Sequence, residues 1–172
     1  MEIFLHLCYS VTVFFPFSYH RIGVFINMCI AIRKIKEEDR AGVMEMMRVF
    51  YASPCVLSNG SDEIFKADID ACLAGCAYTE GYVFECNSAL CGYAMLAKSY
   101  STEYGKPCIW IEDLYVVPAH RGSGIGSRFL NYVAQTYPDA LLRLEVEEEN
   151  LPAIRVYQKQ GFTFLPYREM KK

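Results

Sequence analysis

The sequence predicts an α/β domain in which short apolar strands alternate with amphipathic helices, and three observations carry that prediction. An apolar segment, Ile109 to Val117, runs through Pro118-Ala119-His120 into a glycine-rich turn, Arg121-Gly122-Ser123-Gly124-Ile125-Gly126, and then into a helix-like run. Val43, Met46, Met47 and Phe50 share one helical face, and Phe65, Ile69, Cys72 and Leu73 recur at the same spacing. Leu142, Leu144 and Val146 alternate with Arg143, Glu145 and Glu147, the period of two expected of a strand.

The elements follow in order from Met28. Cys29 to Ile35 reads as a short strand, and Glu37-Glu38-Asp39 places negative charge where a helix begins. Tyr51 to Gly60, with Pro54, Asn59 and Gly60, reads as a loop; Ser61 can then cap a second helix that Gly75 ends. Gly81 to Cys86 and Ala89 to Ser99 flank Asn87-Ser88 as a hairpin, and Tyr100 to Lys106 turns into the Ile109 strand. Ser127 to Tyr137 supplies the next helix, which Pro138 stops. No internal repeat, low-complexity tract or second domain is visible, so residues 28–172 are expected to form one domain.

Composition fits that expectation. A chain of 172 residues with 53% hydrophobic residues can bury a sizeable core, and a net charge of -3 gives no overall basic field for nucleic acid. The eight cysteines contain no C-x-x-C pair; Cys72 and Cys76 read as small hydrophobes rather than a metal pair, and the expected setting is reduced thiols in a cytoplasmic protein. Residues 1–27 are an apolar N-terminal extension of a different character. Ile3 to Phe17 falls short of the roughly 20 residues a spanning helix needs, and His6, Ser10, Thr12 and Pro16 interrupt it. Glu2 as the only early charge fits a secretory signal poorly. The extension reads as sequence upstream of a working start at Met28, with a peripheral membrane anchor or an added edge strand as the alternative.

The glycine-rich turn points to a phosphorylated anion. Glycines let backbone approach a ligand closely, and the amides and dipole at the following helix start favour phosphate. Spacing separates three signatures. A Walker loop needs Lys and then Ser or Thr after its last glycine, whereas Gly126 is followed by Ser127 and Arg128. A dinucleotide fingerprint needs Gly or Ala where Ser127 stands, and too little chain follows for the rest of such a domain. What remains is R-x-x-G-x-G, carried by Arg121, Gly124 and Gly126.

With that motif the chain resembles the GNAT superfamily of acetyl-CoA-dependent N-acetyltransferases. Downstream, Leu144 to Phe162 resembles the family's second motif: a strand, Asn150, a helix bearing Tyr157, and then Gly161-Phe162. The string Glu112-Asp113-x-x-Val116, followed by Arg121-Gly122-x-Gly124-Ile125-Gly126, is similar to the diamine (spermidine/spermine) acetyltransferase-like branch. The resemblance spans about Cys29 to Met170. It implies a central mixed sheet flanked by helices, in the order β-α-α-β-β-β-α-β-α-β, with acetyl-CoA as cosubstrate. At matching positions it implies that the backbone of Leu114, Tyr115 and Val116 lies against the pantetheine arm. It implies further that Gly122, Ser123, Gly124, Ile125, Gly126 and Ser127 wrap the pyrophosphate, with Arg121 adding charge, and that Asn150 and Ala153 line the thiol end.

Amine chemistry defines the catalytic candidates. A primary amine, with a pKa near the ~10.4 of Lys, must lose a proton before it can attack a thioester. Glu112 and Asp113 are adjacent on a strand, so only one can face the substrate, and the resemblance implies Glu112 as the proton acceptor. The plain alternative is a solvated or salt-bridged strand carboxylate. The resemblance likewise implies that Tyr157 donates a proton to the departing CoA thiolate; otherwise it is a packed helix aromatic. Asn150 can cap the Tyr157 helix as well as contact the cosubstrate. His120 lies in the phosphate turn, away from the expected thioester, and the three histidines lack metal-ligand spacing, so no metal is expected.

The expected reaction is direct acetyl transfer in a ternary complex to a small amine or polyamine, an acceptor class also suited to the carboxylates at Glu145, Glu147, Glu148 and Glu149. Acetylation of a protein N-terminus or lysine is the alternative within the enzyme class, and a CoA-binding regulatory module is the alternative outside it. Family members are often dimers, so the resemblance allows a homodimer, and no membrane span or nucleic-acid partner is expected.

Overall fold

A β-bulge at the centre of a five-stranded sheet sets the architecture. The computed structural model describes residues 30–54, 56, 60–168 and 170–172. The strands are β1 (Ile30–Lys34), β2 (Thr79–Cys86), β3 (Ala89–Ser101), β4 (Lys106–Val116) and β5 (Leu141–Leu144). The helices are α1 (Arg40–Tyr51), α2 (Asp62–Leu73), α3 (Ile125–Thr136) and α4 (Leu151–Lys159), with single 3-10 turns at Glu37–Asp39 and Pro118–His120. The sheet order is β1-β2-β3-β4-β5. The first four strands are antiparallel neighbours, and β5 joins β4 in parallel after the α3 crossover. This is the mixed sheet with flanking helices that the sequence led us to expect.

Alternation along the strands sorts the core onto two faces. On one, Tyr82, Phe84, Ala94, Leu96, Ile109 and Ile111 pack with Ile125, Phe129, Leu130 and Val133 of α3. On the other, Val83, Tyr93, Met95 and Tyr115 pack with Val43, Met46 and Met47 of α1 and with Phe65 and Ile69 of α2. The β2–β3 hairpin turns on Asn87 and Ser88, both at positive φ (51° and 67°), the conformation that the twist of a two-residue hairpin demands. Ser61 caps α2 by accepting from the Ile64 N–H at 3.4 Å. Cys86, Cys91 and Cys108 are buried and Cys72 and Cys76 half-buried, consistent with the reading of the last two as small hydrophobes.

Two elements differ from expectation. The strand over Leu142 to Val146 stops at Leu144, the residue paired with Ile111, because β4 bulges at the next position and no longer runs alongside. The last strand is not formed: residues 160–168 and 170–172 follow α4 without one, and Phe164, Leu165 and Tyr167 are exposed. A four-residue β5 offers a short edge for such a strand to pair with. Tyr167 instead donates a hydrogen bond to Glu103 at 3.1 Å. The strand expected to start at Cys29 begins at Ile30 within the described residues, and the extension 1–27 lies outside them. Among the described residues no helix is long and apolar enough to cross a membrane.

Glu80 ties β1, β2 and β3 to the end of α3 on one face of the sheet. Its carboxylate accepts from Tyr82 Oη at 2.6 Å and Tyr137 Oη at 2.7 Å, and pairs with Lys34 at 3.2 Å and with Lys98. Burial pushes this carboxyl up, but the donors from Lys98, Tyr82, Tyr137 and Lys34 together outweigh it and bring it down to about 2. A carboxylate depressed on folding stabilises above its unfolded value near 4.5, and that contribution is lost as the pH falls toward about 2. Glu80→Gln should therefore cost about 2 kcal/mol at neutral pH and flatten the loss of stability between those pH values, as read by urea melts at a series of pH values.

Candidate active site

Between β4 and β5 the sheet opens into a cleft, and the pairing register explains why. Met95 faces Asp113 and the next residue on β3, Leu96, faces Ile111, so Glu112 is the extra residue of a bulge. Parallel pairing with β5 covers Cys108 to Ile111 only, while β4 continues to Val116. From Glu112 onward, β4 has a strand neighbour only on its β3 side among the described residues. The stretch containing Leu114, Tyr115 and Val116 thus presents a backbone edge to the opening, a template onto which an extended amide-bearing chain can add. Glu112 itself is exposed at the head of that edge.

The strand leads directly into the glycine turn. Gly122 and Gly124 adopt positive φ (75° and 84°), a region in which a Cβ would strain the backbone, and this lets the chain reverse within a few residues to start α3. The first intrahelical bond runs from the Arg128 N–H to the Gly124 carbonyl at 3.0 Å. The amides of Ile125, Gly126 and Ser127 precede it and lie at the positive end of the helix dipole. Ser123 Oγ donates to the His120 carbonyl and tightens the turn. Arg121 braces it as well: Nε donates to the Val116 carbonyl at 2.9 Å, and the guanidinium lies 5.7 Å from the centre of the Tyr115 ring. His120 is half-buried in the 3-10 turn before the glycines.

The second motif flanks the cleft from α4. Asn150 Oδ1 accepts from the Ala153 N–H at 3.4 Å, capping a helix whose Pro152 sits in the first turn. Tyr157 is half-buried, with its ring 6.0 Å edge-on from that of Phe162. It packs against the same buried cluster as Leu114, Val116 and Leu144, on the α3 face of the sheet. Leu114, Val116, Tyr157 and Ile125 at the start of α3 thus belong to one packed cluster, while Asn150 and Ala153 form the local cap of the Tyr157 helix.

The opposite face carries Asp113, the carboxylate passed over for Glu112, and two tyrosines to which the sequence assigned no role. Asp113, only 3% exposed, accepts from Tyr51 Oη of α1 at 3.0 Å and from Tyr93 Oη of β3 at 3.0 Å. Burial pushes its carboxyl up; the two phenols pull it down, Asp68 and Glu112 raise it again by like charge, and the result is about 6. Burial and the Asp113 charge push the hydroxyls of Tyr51 and Tyr93 well above their usual range, so both remain protonated donors. The sequence carried one signal for this: an acidic residue on the core-facing register of an otherwise apolar strand. Among the described residues no group of three or more His, Cys, Asp or Glu side chains is gathered to hold a metal ion.

Comparison with known proteins agrees with this layout. Residues 44–162 match the family model described as the acetyltransferase (GNAT) family. The chain is 32% identical over 148 residues to the thialysine N-epsilon-acetyltransferase of Bos taurus, covering 77% of this chain and 83% of that protein. It is 25% identical over 146 residues to the spermine/spermidine N(1)-acetyltransferase of Bacillus subtilis (strain 168), covering 80% of this chain and 90% of that protein. Among solved structures, an aminoglycoside N-acetyltransferase in complex with CoA superposes with a TM-score of 0.70 at 15% identity, over 84% of this chain and 95% of that one. With a bulged β4, a splayed β5 and a glycine turn into α3, and with the family model matching most of its length, the chain belongs to the acetyltransferase (GNAT) family.

Proposed function

We propose that the protein transfers an acetyl group from acetyl-CoA to a primary amine, a small amine or polyamine, in a single step within a ternary complex. The observation that carries this reading is the end of β4–β5 pairing at Glu112, next to a packed cluster that includes both Ile125 at the start of α3 and Tyr157 of α4. The residues fit an acyl-CoA. The open edge at Leu114, Tyr115 and Val116 suits the amide-bearing pantetheine arm, and the turn from Gly122 to Ser127, with Arg121 beside it, suits the pyrophosphate. Asn150 and Ala153, at the start of the Tyr157 helix, suit the thiol end.

Acetyl-CoA supplies an acyl thioester, and the chain supplies proton transfer and position. The acceptor reaches the site as an ammonium ion, and Glu112 takes its proton, directly or through one water, to free the lone pair. Tyr157 returns a proton to the sulfur of the leaving CoA. Backbone amides near the bulge polarise the thioester carbonyl. A cationic acceptor suits the local field, because Asp68 and Glu112 both lie close enough to Asp113 for their charge to raise its proton affinity. The thialysine and spermine/spermidine substrates in the names of two relatives belong to this small-amine class.

Three measurements test the reading. Thiol release from acetyl-CoA, followed across a panel of spermidine, thialysine, lysine and a peptide with a free N-terminus, should give kcat/KM at least tenfold higher for the small amines. Preference for the peptide would make the protein a polypeptide acetyltransferase, and CoA binding with no release would make it a regulatory module. Tyr157→Phe should lower kcat by about 100-fold while leaving acetyl-CoA affinity by calorimetry within twofold; an unchanged kcat removes Tyr157 as the acid. Glu112→Gln should flatten the acidic limb of the pH profile of kcat/KM, and a profile matching the parent enzyme removes Glu112 as the base.

A further inference from the structure

Asp113 has no part in the chemistry assigned above, yet its position is costly. Among the described residues two acidic side chains are buried, Asp39 and Asp113. Asp39 is paired with the Arg33 guanidinium at 2.6 Å, so its charge is compensated. Asp113 has two phenols and, among the described residues, no cation, and burying a carboxylate on such terms opposes folding at neutral pH. An Asn or Leu at this position would hold the strand at a lower cost. A charge is therefore what the site retains, and the bulge residue beside it is Glu112.

The groups facing Asp113 come from every element packed around it: Tyr51 from the last turn of α1, Asp68 from α2, Tyr93 from β3, and Glu112 from β4. Tyr115, two residues on, completes the aromatic floor, its ring 6.0 Å from that of Tyr93. The two hydroxyls hold the carboxylate on the α1/α2 side of the strand at the point where the bulge turns Glu112 outward.

We propose that Asp113 is a positioning residue for the acceptor reaction: clamped by Tyr51 and Tyr93 beneath the bulge, its negative charge makes the adjacent Glu112 a stronger base toward the acceptor ammonium ion. The inference rests on the acetyl-transfer reading and on Glu112 as the proton acceptor. As Asp113 ionises near pH 6, its like charge acts on the neighbouring Glu112 carboxylate and strengthens that carboxylate's hold on a proton. The two carboxylates then titrate as a pair, and the rate rises through the second step of that pair.

The test is the pH profile of kcat/KM for spermidine in three full-length enzymes. Asp113→Asn should move the acidic limb down by about one pH unit and remove the step near pH 6. Tyr93→Phe keeps the charge, removes one donor that lowers the Asp113 proton affinity, and should move the limb upward. Opposite displacements in the two variants support the proposal, because a merely structural role lowers the rate at every pH and leaves the limb where it was. Limbs that coincide with that of the parent enzyme overturn it. If Asp113→Asn does not fold, the Tyr93→Phe limb decides alone, and an unmoved limb there overturns it too. Glu112→Gln run alongside separates the two ideas: a flattened limb in that variant, with Asp113→Asn and Tyr93→Phe unmoved, removes this inference and leaves the acetyl-transfer reading standing.

Discussion

The extra residue in β4 is the constraint on which the rest of the architecture depends. A regular β4 would have continued to pair with β5 beyond Ile111 and closed the sheet. Inserting Glu112 opposite the Met95–Leu96 step bends the strand, ends the β5 pairing at Leu144, and exposes the edge from Leu114 to Val116. The same residue that opens the cleft stands at its mouth with a carboxylate. Geometry and chemistry are thus coupled in one position, since a change that repaired the ladder would remove both the opening and the acid group from it.

The strand–turn–helix unit was legible in the chain because its signals are local. Gly122 and Gly124 occupy the conformations only glycine adopts cheaply, and the apolar run before them and the helical run after them carry distinct periods. Ser61 and Asn150 were legible as caps for the same reason: a short polar side chain three residues from an unpaired amide is a sequence-near interaction. The hairpin at Asn87-Ser88 likewise declared itself through turn chemistry.

What was not legible depends on pairs of distant segments. The bulge is a mismatch between β3 and β4, and neither Met95 nor Glu112 announces it alone. The early end of β5 follows from that mismatch, so an alternating pattern extending to Val146 suggested a longer strand. The surroundings of Asp113 depend on Tyr51, which lies at the end of a helix far away in the chain. Alternation indicates that Asp113 points away from Glu112, but only the packed structure shows two phenols waiting there. The expected final strand failed on similar grounds, since a strand needs an edge to pair with and β5 is four residues long.

The Glu80 cluster has a consequence for ligand capture at the opposite end of α3. Tyr137 closes the C-terminal end of that helix and is tethered to β2 through Glu80, which two lysines hold in its charged form. The helix is clamped at its tail while its head faces the glycine turn. On the proposed acyl-CoA reading, an incoming diphosphate meets amides whose direction is already set, and its capture requires little loss of rotational freedom in the protein. The rigidity of a recognition element is supplied from a distance, by a salt-bridged mount that never approaches the ligand.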